Sequence, residues 1–397
     1  MSVCNIRTFY QFTRVKIVKN QYYEEDNLIV IHLEPDRRYL PVCSICGSNN
    51  CMIHSYRKRF VRDLPLATNK VILHYTYRRI ICKSCGICNE ANEFVSPYAR
   101  FTKRFAWYIF SLCQYMTIKD VSEHLGIDWK TVKELDKARI RERLECDGQR
   151  IAPILAIDEI AIRKGHNYLT VVIDHDQGKV LWMGPDRKMT TLQRFFTSLS
   201  EDEISSIKAI ATDMWDPYIK AIKTYCPKAD IVFDLFHVVQ HYNRVIDVVR
   251  NHEYRRASQE NKSVIKGTKY LLIKNRISLL PEEKPKLNAL LTLNQNLSTM
   301  YILKDYLKKL WNYKYPAAAR NFLNYWYHLA YESGLKPLKQ FARMLKRYAY
   351  GIINHARFPI HTGKLEGINN KIKVIKHKAY GFLDLEYFIL KVKYSTL

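Results

Sequence analysis

Three carboxylates in this 397-residue chain sit where they could manage phosphodiester chemistry. Asp158 interrupts the apolar run IAPILAIDEIAI, Asp213 closes SSIKAIATD, and Glu366 lies in HTGKLEGINNKIKVIKHKAYGF. In-line attack on a phosphodiester needs an activated water or 3′-hydroxyl and a stabilised leaving oxygen, which two divalent ions roughly 4 Å apart provide. Hard oxygen ligands hold such ions, so Mg²⁺ (or Mn²⁺) on Asp158, Asp213 and Glu366 is the expected catalytic centre. A second metal chemistry is written upstream. Cys43 and Cys46 in PVCSICGS, and Cys82 and Cys85 in RRIICKSCG, form two C-x-x-C knuckles, each followed by a glycine. Two intervening residues let a tight turn aim both sulfurs at one ion, and Gly47 and Gly86 can close it, so a structural Zn²⁺ site is expected. Cys51 and Cys88 lie close enough to be substitute ligands, whereas Cys4, Cys113, Cys146 and Cys226 have no paired spacing and read as packing residues.

These groups need elements to hold them. Between the knuckles a hairpin is expected, with Val71, Leu73, Tyr75 and Tyr77 alternating along one strand. Beyond Pro97 the pattern turns helical: Phe101 to Met116 as one helix, then Ile118, Val121 and Leu125 as a short one, a break at Gly126, and Val132, Leu135 and Ile140 as another. That is a helix-turn-helix with Asp128 as N-cap, which leaves Lys130, Thr131 and Lys133 at the start of its second helix to meet DNA. From residue 151 the order of elements reads βββαβαβα, a meander continued through helical crossovers. This is the layout of the ribonuclease-H-like fold, with Asp158 on the first strand beside Asp213 at the end of the fourth. In the block around Glu366, Leu365, Ile368, Ile372 and Ile375 make an apolar helical stripe, with Glu366, Asn370, Lys373 and His377 on the other side, the last three as DNA-phosphate contacts. Between His237 and Glu366, breaks at Pro281, Pro285, Pro316, Gly334 and Pro337 divide an all-α insertion. Lys308, Lys309, Trp311, Tyr313, Tyr325, Trp326 and Tyr327 there suit DNA contact, although most of the aromatics read as core.

The blocks AIDEIAIRKGHNYLTVVID, ATDMWDPYIKAIKTYCPKADIVFDLFHVVQHYN and TGKLEGINNKIKVIKHKAYGF resemble, in order, the catalytic blocks of DDE transposases of the ISL-three group of bacterial insertion sequences. The cysteine knuckles and helix-turn-helix are similar to that family's N-terminal modules. The resemblance implies Asp158, Asp213 and Glu366 as the carboxylate triad and a role near the site for Asp234 and His237. It implies recognition of terminal inverted repeats, Mg²⁺-dependent strand cleavage and 3′-hydroxyl strand transfer into target DNA. A DNA-binding regulator with an inactive transposase fold, or a ribonuclease-H-like nuclease, is the alternative. Expected boundaries are a zinc-binding domain at 1–95, the helix-turn-helix at 96–150, the first part of an α/β core at 151–250, the insertion at 251–355 and the catalytic helix at 356–397.

Charge agrees with a polyanion partner. The net charge of +26 divides into +9 over 1–150, −1 over 151–250 and +18 over 251–397, so the two arms are basic and the carboxylates sit in a near-neutral centre. No run approaches 18 uncharged apolar residues, and Arg7 and Arg14 fall where a signal peptide needs its apolar core, so an intracellular protein without a membrane role is expected, and the resemblance implies that it is cytoplasmic, bacterial and nucleoid-associated. Handling two DNA ends together calls for a homodimer or larger assembly.

Overall fold

The computed structural model describes residues 10–96, 98–148, 151–163, 167–233, 235–360, 363–379 and 381–397. Contacts divide the chain into a unit ending at Arg143 and a unit spanning Leu144–Leu397. No described helix is long and apolar enough to cross a membrane.

In the first unit, β1 (Val15–Tyr23), β2 (Leu28–Pro35), β4 (Asn69–Cys82) and β3 (Cys51–Leu66) lie side by side in that order, and β5 (Gly86–Asn89) pairs with the end of β4. The hairpin expected between the knuckles is thus β3 and β4, long enough to carry one knuckle at its open end. Val71, Leu73 and Tyr75 point inward and are almost fully buried, as the alternation requires. Asp63 is buried on the same strand pair, where Thr102 donates to its Oδ1 at 2.6 Å and Arg104 pairs with its carboxylate. Three helices follow: α1 (Lys103–Tyr115), α2 (Ile118–Leu125) and α3 (Trp129–Cys146). Thr117 and Asp120 form a capping box that starts α2, Gly126 ends it in the left-handed conformation (φ 57°), and Asp128 caps α3 by accepting from the backbone N–H of Lys130 and Thr131. A helix-turn-helix results, with Val121, Leu125, Ile127 and Val132 closing its core against Phe105 and Ile109.

The second unit is built on a five-stranded sheet. β6 (Ile154–Arg163), β7 (Asn167–Asp174) and β8 (Lys179–Pro185) run as an antiparallel meander. After α4 (Met189–Phe196) and α5 (Glu201–Ser206), β9 (Ala209–Thr212) joins β6 in parallel. After α6 (Asp216–Tyr225), β10 (Asp230–Phe233) joins β9, giving the spatial order β10-β9-β6-β7-β8. The expected order of elements is therefore present, with α5 as an additional short helix. The next helix, α7 (Leu235–Arg256), crosses the expected boundary at 250, so sheet domain and insertion share one continuous element.

The insertion comprises α8 (Gln259–Ile265), α9 (Lys269–Ile273), α10 (Glu283–Leu293), α11 (Gln295–Lys308), α12 (Pro316–Glu332), α13 (Lys336–Arg347) and α14 (Ala349–Ile353). Trp326 is fully enclosed and Tyr327 nearly so, which makes them core, whereas Tyr325 is 52% exposed. One apolar cluster runs from Leu155 and Phe233 on the sheet through Tyr242 to Trp326 and Leu345. Gly351 on α14 lets this helix lie on β10, since a Cβ there would stand 2.4 Å from the Phe233 ring. Last come α15 (Gly363–Lys378) and α16 (Leu385–Ser395). Ile368 and Ile372 drive α15 into the sheet against Ile160, Val171 and Met183, and two such side chains contribute roughly 1.5–3 kcal/mol each.

Candidate active site

β6 and β9 are neighbours in register from Ile154↔Ala209 to Ala156↔Ala211, so Asp158 and Asp213 leave the sheet at the same end. Both line one cavity, together with Thr212, Phe233, His237, Ile360 and Leu365. Asp213 is half-buried, and its Oδ1 is enclosed with no hydrogen-bond partner. Burial pushes its carboxyl up to about 6, Glu159 and Asp158 push the same way, and His237 opposes them. The orphaned buried oxygen of Asp213, in a cavity that the Asp158 carboxylate also lines, is an unsatisfied anionic donor. Hard oxygen donors of this kind fit a divalent cation.

Asp158 is held from two sides. Its Oδ1 accepts the backbone N–H of Glu159 at 2.8 Å, and its Oδ2 accepts Asn369 Nδ2 of α15 at 2.6 Å. Glu159, the next residue, pairs with Arg187 at 3.2 Å. That guanidinium lies between the rings of Tyr168 and Trp215, 4.5 and 4.8 Å from their centroids, and Trp215 Nε1 donates to the Arg187 carbonyl at 3.1 Å. Thr170, opposite Glu159 on β7, donates to the Asp186 carbonyl and so accepts from Tyr218, whose O–H lies 2.8 Å away. These contacts fix the end of the sheet that carries the acids.

The expected residues are not all brought together. Asp158, Asp213 and His237 share the cavity; Asp234 lies outside the described residues. Glu366 stands exposed on the first turn of α15, one residue from cavity-lining Leu365 but not itself among the lining side chains. Among the described residues, no set joining Asp158, Asp213 and Glu366 has its ligand atoms all within 4.8 Å of one another. Asn370, Lys373 and His377 are exposed on the same helix, opposite the buried stripe, as expected. Sequence reasoning passed over Asn369, Glu159 and Arg187. The signal for Asn369 was available: at about 100° per residue it lies between Leu365 and Glu366 on the helix, at the border of stripe and polar side.

The thiol site is closer-knit. Ligand atoms of Cys43, Cys46, Cys82 and Cys85 all lie within 4.8 Å of one another, and the Cys46 and Cys82 sulfurs are 3.6 Å apart, near the ~3.8 Å edge of a tetrahedron with 2.3 Å Zn–S bonds. Backbone N–H groups of Cys46 and Ile45 lower the Cys43 thiol to about 6, which favours the thiolate a metal requires. Gly47 and Gly86 have φ of 73° and 70°, the left-handed turn that closes each knuckle. Cys51 and Cys88 flank this set, with Cys88 Sγ 3.4 Å from Cys43 Sγ. Cys113 and Cys226 are buried, as packing residues should be, whereas Cys146 is exposed and Cys4 lies outside the described residues. In the helix-turn-helix, Lys130 and Thr131 line a groove with Arg100, Lys103 and Arg139, while Lys133 lies 3.8 Å from Glu134.

Comparison with known proteins gives a consistent result. Residues 155–392 match the DDE transposase domain of the ISL3 type, residues 90–140 the helix-turn-helix domain of transposase family ISL3, and residues 40–85 the zinc-finger of the IS204, IS1001, IS1096 and IS1165 transposases. The chain is 42% identical over 368 residues to the transposase for insertion sequence element IS1001 of Bordetella parapertussis, covering 91% of this chain and 90% of that one. It is 25% identical over 412 residues to the transposase for element IS1557 of Mycobacterium tuberculosis, covering 95% and 92%.

Proposed function

Because the chain belongs to transposase family ISL3, we propose that it binds the terminal inverted repeats of its insertion sequence, cleaves the DNA there and joins the freed 3′-hydroxyl to target DNA. The observation that carries this is the enclosed, unpartnered Asp213 oxygen in the cavity that Asp158 also lines. Asp158 and Asp213 would hold Mg²⁺ or Mn²⁺, with Glu366 of α15 as the third ligand. When bound, the ions activate the attacking oxygen and stabilise the leaving one. The remaining work is done by side chains. His237 balances the negative charge around Asp213, and Arg187 is held rigid beside Glu159 at the rim. Lys130, Thr131 and Lys133 approach the repeat, and Asn370, Lys373 and His377 carry the DNA past the acids.

The sheet supports a ribonuclease-H-like reading: with β6 counted first, its spatial order is third, second, first, fourth, fifth, and only the second strand is antiparallel to the first. The D-x-x-H element formed by Asp234 and His237 is assigned a role near the site on its resemblance to related transposases. The four cysteines hold a structural zinc ion, the protein acts in the bacterial cytoplasm on nucleoid DNA, and two ends are handled by a dimer or larger assembly. The test is Asp158→Asn with terminal-repeat DNA. The variant should bind the ends nearly as well as the parent and show no Mg²⁺-dependent nicking; nicking with ordinary Mg²⁺ dependence refutes the assignment. Light scattering on the DNA complex tests the assembly, and one protomer holding both ends counts against it.

A further inference from the structure

The residue of α15 that touches the first-strand carboxylate is an asparagine. We propose that Asn369 is a positioning residue for Asp158: its amide fixes the carboxylate for cation binding and pins α15, the helix that carries Glu366, beside the cavity. This rests on Asp158 being a metal ligand.

The contact between Asn369 Nδ2 and Asp158 Oδ2, at 2.6 Å, joins residues 211 positions apart. With the Glu159 N–H on Oδ1, each oxygen of Asp158 has one donor, and the carboxylate cannot rotate without losing both bonds. Each oxygen keeps lone-pair capacity, so the hold is compatible with a cation. The helix supplies the rest of the alignment. Ile368, immediately before Asn369, is buried in the sheet, and Ile372 is buried three residues after it. Lys364 Nζ reaches the carbonyl of Asp176 at 2.8 Å and tethers the first turn. Glu366, three residues before Asn369, shares its side of the helix, so the bond that orients Asp158 also sets the height at which Glu366 is presented.

Packing alone does not account for an amide here. Asn369 Oδ1 is buried with no partner, an unfavourable arrangement that an apolar side chain would avoid. The donor end satisfies Asp158, and the acceptor end is left unpaired.

The test uses the full-length protein with Asn369→Ala and Asn369→Ser, the serine hydroxyl being too short to span the gap. Two quantities are read: the Mg²⁺ concentration giving half-maximal nicking of terminal-repeat DNA, and Mn²⁺ affinity by calorimetry without DNA. Losing one hydrogen bond to a charged group should weaken both about ten- to hundredfold, while end binding is unchanged and much of the nicking rate returns at saturating Mg²⁺. Unchanged Mn²⁺ affinity and half-saturation, with only lower turnover or lower thermal stability, would overturn the proposal. Should Asp158→Asn itself leave Mn²⁺ binding and nicking intact, it is the metal assignment that fails, independently of what Asn369 does.

Discussion

Asp213→Asn should make the metal-free protein more stable while destroying its activity. The native Asp213 carboxyl titrates at about 6, against 3.8 for the same group in the open chain. Between about pH 4 and pH 6 the folded protein therefore binds more protons than the unfolded one, so stability falls as pH rises through that window and the deficit is complete above it. A shift of about two units corresponds to about 3 kcal/mol at neutral pH. Asparagine keeps the size and can still accept the Trp215 backbone N–H that Asp213 accepts, and it carries no charge to bury. Thermal unfolding in the presence of a chelator, followed from pH 4 to 8, should show the variant melting about 6–12 °C above the parent at pH 8 for a unit of this size. The gap should close towards pH 4. Divalent ions should raise the melting temperature of the parent at pH 8 and leave that of the variant nearly unmoved. A variant equal to or less stable than the parent at pH 8, or a gain independent of pH, would show that the cavity is not a strained anionic site.

Zinc removal should unfold the knuckle: Cys82→Ser is expected to lose the bound metal by elemental analysis and end binding by gel shift, since structural zinc in small modules contributes about 10–16 kcal/mol of folding free energy. Asp63→Asn should destabilise the first unit by about 1.5–3 kcal/mol in denaturant melts, because it removes the charge-assisted bonds of Arg104 to a buried carboxylate while that guanidinium stays partly exposed over the Tyr10 and Phe12 rings; a change under ~1 kcal/mol would mean that the pair contributes little. Gly351→Ala should cost about 1–3 kcal/mol through displacement of Phe233, and nicking should fall because that ring lines the cavity. Unaltered stability and activity would show that α14 can shift freely.

Much of this protein is legible in one dimension. The C-x-x-C spacing with its following glycines, the alternation in β4, the Asp128 cap and the α15 stripe are local patterns, set by the backbone periods of 2 and 3.6 and by turn stereochemistry. Each is present in the fold because nothing distant opposes it. The pairing of Asp158 with Asp213 was also legible, since acids at the ends of short apolar strands have only a few parallel neighbours to meet.

What the sequence could not supply is contact across long separations. Asn369 on Asp158, Arg187 on Glu159 between two rings, and Gly351 under Phe233 depend on how α15, the loop after β8 and α14 settle on the sheet. The same holds for Glu366: its residue type and helix face follow from the chain, but its distance from the cavity depends on how α15 packs. The order and faces of the elements follow from short-range chemistry, which the sequence carries by itself. Which polar atoms finish within 3 Å of an acid is decided only when apolar faces from distant segments lock together, and that is a property of the tertiary structure.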